Sequence, residues 1–287
     1  MKLLAVAALA LLAGGSTMKA DVGEWTYGLA SEGGSVWAGG LAIGDVLRID
    51  PSTGKVTKRI SVGARVFNLA RAPGAVWAVA NLTSTATRID ARTGRVTASV
   101  RVGNSPYDVE WGFGSAWVSN AGDGTVSRIT GTKVVKTIAV GKEPNGLSAI
   151  GRYLWVTDHT AGKLLRIDPR TNRITGTVKL AGADWVTGFG TSLYVSQETN
   201  VVTRVDARTL KVLGTVKVKR NPLGSAIVNG QLWVPCIDAD AVVVVDPASM
   251  RVVRSFDAGP GPIVVLPASG GVWISHTTGT TLWRVAP

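Results

Sequence analysis

The stretch LWVTDHTAGKLLRIDPRTNRITGTVKL, residues 154–180, holds most of one structural unit of this chain. A short apolar strand around Trp155 stops at Asp158-His159. A second ends at Arg166-Ile167-Asp168, and a Pro169 to Asn172 turn returns the chain into a third. Proline pre-sets the first turn dihedral and Asn accepts a left-handed one, so the chain must reverse there. Outward from Trp155 the same aromatic recurs at Trp37, Trp77, Trp117, Trp233 and Trp273, with Tyr194 in the remaining slot, at intervals of 38 to 40 residues. Each is followed by a second column: Arg48-Ile49-Asp50, Arg88-Ile89-Asp90, Arg128-Ile129-Thr130, Arg204-Val205-Asp206, Val244-Val245-Asp246 and Arg284-Val285-Ala286.

A period of about 40 to 45 residues is the length of a four-stranded propeller blade. Seven aromatics therefore predict an all-β, seven-bladed β-propeller of four-stranded antiparallel blades. In the second repeat the strands are expected at 67–71, 76–80, 86–90 and 95–102, each rich in Val, Ile, Leu or Trp and bounded by turn residues. The seventh repeat stops at Pro287 without an outer strand, which would leave an unpaired edge. Val22-Gly23 matches Val62-Gly63 and Val102-Gly103 in register. Residues 18–22 are thus expected to pair with residues 281–285, an N-terminal strand completing blade seven.

Residues 1–15 have a different character: Met1-Lys2, an apolar run from Leu3 to Ala13, then Gly14-Gly15. A basic start, an apolar core of that length and small residues describe a signal peptide, and the run is too short to span a bilayer. The expected organisation is a signal over 1–15, a single propeller domain over 16–287, and a periplasmic or secreted protein with no transmembrane segment once mature. Cys236 is the single cysteine, so no internal disulfide forms; beside a core strand it reads as a small buried hydrophobe.

The chain carries 31 Lys and Arg against 19 Asp and Glu, a net charge of +12. Most basic residues fall in the outer strands, where they protect blade edges from association. Such a belt would also attract polyanions, so single-stranded nucleic acid remains open, with Trp25, Trp185 and Tyr107 stacking on bases beside Lys142 and Arg220.

One mouth of the ring collects the loops after each aromatic strand and those entering each innermost strand. Asn81, Asn120, Asp158, His159, Gln197, Glu198, Cys236, Asp238 and His276 vary there on a constant scaffold, as a grafted site would. The candidate ligand-binding residues are Asn120, Asp158, Gln197, Glu198, Trp185, Tyr107, Lys142 and Arg220. No phosphate loop, zinc pattern or nucleophile elbow occurs. This favours a binding module, with no cofactor expected, over an enzyme. Its partner would be an envelope protein, a small polar ligand or a polyanion, met by a monomer.

The quoted stretch, together with AWVSNAGDGTVSRI (116–129) and the Val-Gly-x-x-Pro between repeats, resembles the bacterial YVTN-type β-propeller repeat family. That resemblance implies the fold and export, and no enzyme activity. The same strings are similar to the streptogramin lyases, seven-bladed enzymes that open a cyclic depsipeptide by magnesium-assisted elimination. By that resemblance His276 would be the base and His159 the second catalytic histidine, with Mg2+ as cofactor and its ligands unassigned. No histidine stands in blade six and no Glu follows His276, so the match to the lyase pattern is incomplete.

Overall fold

The computed structural model describes residues 17–287; the signal expected over residues 1–15 lies outside the described residues. Seven four-stranded antiparallel sheets succeed one another around a ring. Blade two consists of Val66–Ala72, Ala75–Ala80, Thr85–Asp90 and Val96–Arg101, within one residue of the expected bounds at each strand end. The other blades occupy 26–61, 106–139, 144–179, 183–217, 226–257 and 262–285. No helix among the described residues is long and apolar enough to cross a membrane.

The ring closes as expected. Met18–Asp21 adds to Thr281–Val285 as the outer strand of blade seven, with Met18 opposite Arg284 and Ala20 opposite Leu282. Val22 extends the contact by donating its N–H to the Thr280 carbonyl at 2.8 Å. Ala20, Val22 and Leu282 are buried together in one apolar cluster, so side-chain packing reinforces the backbone pairing.

Both sequence columns lie on one face of each blade. In blade three, Glu110, Trp117, Arg128 and Lys136 are direct cross-strand partners, and opposed residues in antiparallel strands present their side chains on the same side. All six tryptophans of the column and Tyr194 are buried between blades. The arginines cover them: the Arg128 guanidinium sits 4.7 Å from the Trp117 ring centre. Its far end then reaches the next blade, donating to the Pro169 carbonyl at 2.6 Å. The pattern recurs from Arg48 to Arg92, Arg166 to Arg208, Arg204 to Ala248 and Arg284 to Pro51, each a guanidinium donating to a carbonyl in the neighbour's outer turn. Five arginines of the basic belt are thus struts between blades.

The innermost strands carry the feature that shapes the channel. Register shifts between Thr26 and Leu29, Val66 and Leu69, Pro106 and Val109, and Pro144 and Leu147 mark a bulge in each. A bulge re-aims side chains, and here it turns them to the axis. Tyr27 and Tyr107 come from blades one and three, yet their hydroxyls meet at 2.5 Å, a contact possible only across the channel. Phe67 packs between them, its ring centre 4.8 Å from Tyr27 and 5.2 Å from Tyr107.

Candidate functional site

The two loop sets do converge on one mouth, and a repeated hydrogen bond shows why. Leu41, Asn81, Ala121, His159, Glu198, Ile237 and Thr277 each donate their N–H to a carbonyl in the loop entering their own blade: Trp25, Arg65, Ser105, Glu143, Gly182, Asn221 and Gly261. These seven residues form the rim. The residue just before each of them ends the second strand, and strand alternation turns that side chain inward.

Consequently several candidates hold up the mouth from beneath. Asn120 is buried and donates to Thr125 and Ser127 hydroxyls at 3.0 and 2.9 Å. Asp158 is buried, its carboxylate accepting from the N–H groups of Lys142, Glu143 and Ala161 at 2.9 to 3.1 Å. Gln197 donates to the Ala181 carbonyl at 2.8 Å and accepts from the Thr203 hydroxyl. Cys236 is buried, and burial pushes its thiol up to about 12, far from a reactive thiolate. Asn120, Asp158 and Gln197 each make these hydrogen bonds within their own blade.

His276 occupies the same inward position. Its Nε2 lies 2.7 Å from the Ala258 carbonyl and its Nδ1 2.9 Å from the Thr281 carbonyl, so neither nitrogen presents a lone pair to the mouth. Burial pushes its titration below the ordinary histidine range, while those carbonyls pull the other way. His159 stands on the rim of blade four and shares no contact with His276. Its Nε2 is 3.0 Å from Glu198 Oε1 and its Nδ1 is 3.5 Å from Glu143 Oε2, both close charge contacts. Glu143 also accepts from the Thr160 hydroxyl. Partial burial opposes a charge on His159, but Asp184, Glu198 and Glu143 outweigh it and hold the imidazole above its ordinary range.

Asp184, on a loop entering an innermost strand but not among the expected ligand-binding residues, is the buried end of this cluster. Turned to the channel in blade five, it accepts from Asn145 at 2.9 Å, and burial pushes its carboxyl up to about 6. Among the described residues no group of three His, Cys, Asp or Glu side chains is placed to hold a metal ion.

The opposite side of the mouth is apolar. Trp25, Ile43 and Leu82, on loops of blades one and two, are 52%, 61% and 67% exposed. They are rigidly presented. The buried Glu24 carboxylate accepts from the Ile43 N–H at 3.2 Å and from Arg59 at 3.1 Å, and the Leu41 N–H meets the Trp25 carbonyl at 2.9 Å. Gly40 is required beneath them, since a Cβ there would stand 2.1 Å from Glu24 Oε2. Of the remaining candidates, Lys142 is exposed, Trp185 and Tyr107 are half-buried, and Arg220 is tied to the Asp238 carbonyl at 2.9 Å.

A family described as a repeat of unknown function, DUF6923, matches residues 13–145, which reach from before blade one to the start of blade four. No curated protein matches the chain. Among solved structures, the β-propeller domain of Myceliophteria thermophila Cps50 (Swd1) superposes with a TM-score of 0.76 at 14% identity, covering 92% of this chain and 97% of that one. The computationally designed Ika8 protein gives 0.69 at 13% identity with the same coverage. At such identities the likeness is one of fold alone, and it is to β-propellers that this chain is similar.

Proposed function

We propose that this propeller is an exported interaction module that binds a peptide segment of a partner protein at the mouth, pairing an apolar side chain with a neighbouring cationic one. One observation carries the reading: three large apolar side chains stand exposed on a braced rim, across the axis from acidic Glu143 and Glu198. Exposed apolar side chains clustered beside polar groups mark interaction sites, and buried bracing lowers the entropic cost of binding. The inward Asp184 adds negative potential behind the two glutamates. Overall charge of +12 opposes a cationic partner at long range, so recognition rests on these local acids.

Selection of displayed peptides on the folded protein tests this. Enriched sequences should combine an aromatic or aliphatic residue with Lys or Arg, and should lose affinity on Trp25→Ser and on the pair Glu143→Gln with Glu198→Gln. Enrichment of acidic peptides or oligonucleotides insensitive to these changes would overturn the reading.

A further inference from the structure

The face opposite the mouth holds a cavity of about 430 Å³ between blades four and five, lined by Ile150, Arg152, Tyr153, Arg166 and Arg208. One of its walls comes from a position that differs between blades. The first residue of the second strand is Ser35, Ser115 and Ser192 in blades one, three and five, and each serine hydroxyl accepts from the Nε of that blade's column arginine at 2.9 to 3.0 Å. In blade four that position is Tyr153. Deprived of the serine, Arg166 turns its Nε to the Thr175 hydroxyl at 3.2 Å and stacks over the Tyr153 ring at 4.6 Å. The tyrosine projects where blades one, three and five have a hydroxymethyl group, and it makes one wall of the cavity.

The charge around this wall is one-sided. Arg152 lies 5.5 Å from the Tyr153 ring centre, and neither Arg152 nor Arg208 has a carboxylate within 4.0 Å among the described residues. Acids at the ends of the third strands of these two blades are committed elsewhere. Asp168 holds Arg170 at 3.2 Å, and Asp206, although near enough to Arg208 to accept its backbone N–H at 3.1 Å, spends its carboxylate on the N–H and hydroxyl of Thr209 at 2.6 and 2.8 Å. A cavity with an aromatic wall, an aliphatic floor and unpaired guanidiniums at its lip suits a flat ring bearing one anionic group.

We propose that the cavity between blades four and five binds a small aromatic anion, an aryl carboxylate or aryl phosphate, with its ring against Tyr153 and Ile150 and its anionic group between Arg152 and Arg208. The site lies on the other face from the mouth and does not depend on the function assigned there.

Calorimetry and saturation-transfer NMR with 2-naphthoate and 2-naphthyl phosphate test it, with 2-naphthamide as the neutral counterpart. Both anions should bind one to one, at least tenfold more tightly than the amide, and more weakly as salt rises. Tyr153→Ser installs the residue that blades one, three and five already tolerate, and Arg208→Gln changes an exposed side chain. Each should weaken binding at least tenfold with the melting temperature within a few degrees, whereas Trp25→Ser at the mouth should leave it unchanged. No binding, equal binding of the amide, or binding that survives Arg208→Gln would overturn the proposal.

Discussion

Arg284 donates through Nη1 to the carbonyl of Pro51 at 2.5 Å, joining blade seven to blade one across 233 residues of sequence. The same strut joins successive blades elsewhere, and here it spans the point where the chain ends meet. Ring closure therefore has two fastenings, this strut and the strand Met18–Asp21.

Their contributions should be separable. Deleting residues 17–22 removes four strand pairs and the buried Ala20 and Val22, and should lower the melting temperature by more than 10 °C. Arg284→Met keeps the apolar stem over Trp273 and removes only the charged hydrogen bond, a loss of roughly 1 to 3 kcal/mol. A thermal denaturation curve unchanged by the deletion would show that blade seven closes without its fourth strand.

The aromatic column should carry stability out of proportion to its size. Trp117 is fully buried and donates its indole N–H to the Gly112 carbonyl at 3.0 Å. Trp117→Ala should cost about 3 to 5 kcal/mol in urea denaturation. Tyr194→Phe removes one hydroxyl that donates to the Pro247 carbonyl at 3.0 Å and should cost about 1 kcal/mol.

The His159 imidazole should titrate above the ordinary histidine value of 6.5, read by NMR from its ring proton. Its folded pKa is raised, so the stabilisation it gives is complete below pH 6.5 and fades as pH rises through the higher folded value. Glu198→Gln should move the titration midpoint down. A midpoint unmoved by that change would mean the 3.0 Å contact has no electrostatic weight.

Two acids should act on pH in the same direction. Glu110 lines the channel in blade three, accepts from the Ala149 N–H at 3.2 Å, and burial pushes its carboxyl from 4.5 up to about 7; Asp184 rises from 3.8 to about 6. Both bind a proton more tightly when folded, so stability is greatest below pH 4 on their account and declines as pH rises to about 7. Glu110→Gln keeps the acceptor for Ala149 and removes the charge. At pH 8 it should stabilise the protein by about 1 to 2 kcal/mol, a figure reduced because the residue is only half-buried, and at pH 4 it should change little.

Residues that repeat are legible in the sequence itself. Trp117 and Arg128 could be assigned to equivalent places in every blade because a period of this length admits few architectures, and Val22-Gly23 revealed the closing strand by falling into the same register. The candidate site was legible in part: His159 and Glu198 fall among the expected mouth residues and stand on the rim. Asn120, Asp158, Gln197 and His276 vary as functional residues do, yet they end strands whose pleat turns them inward, while their successors His159 and Glu198 reach the rim. Asp184 could be placed at the mouth from its position in a loop entering an innermost strand, but not its burial or its aim at the channel, which depend on a bulge between Ala183 and Trp185.

Sequence by itself determined the number of blades, the position of every aromatic wedge and the fastening of the two ends, because each is a local pattern repeated at fixed spacing. Only the tertiary structure decided which side chains meet across the ring. Tyr27 touches Tyr107, His159 lies among Glu143, Asp184 and Glu198, and Tyr153 opens a cavity beside Arg208. The contacts across the channel join residues on different blades and the cavity opens between two of them, and the distances within them depend on bulges, loop paths and blade angles that no periodicity encodes.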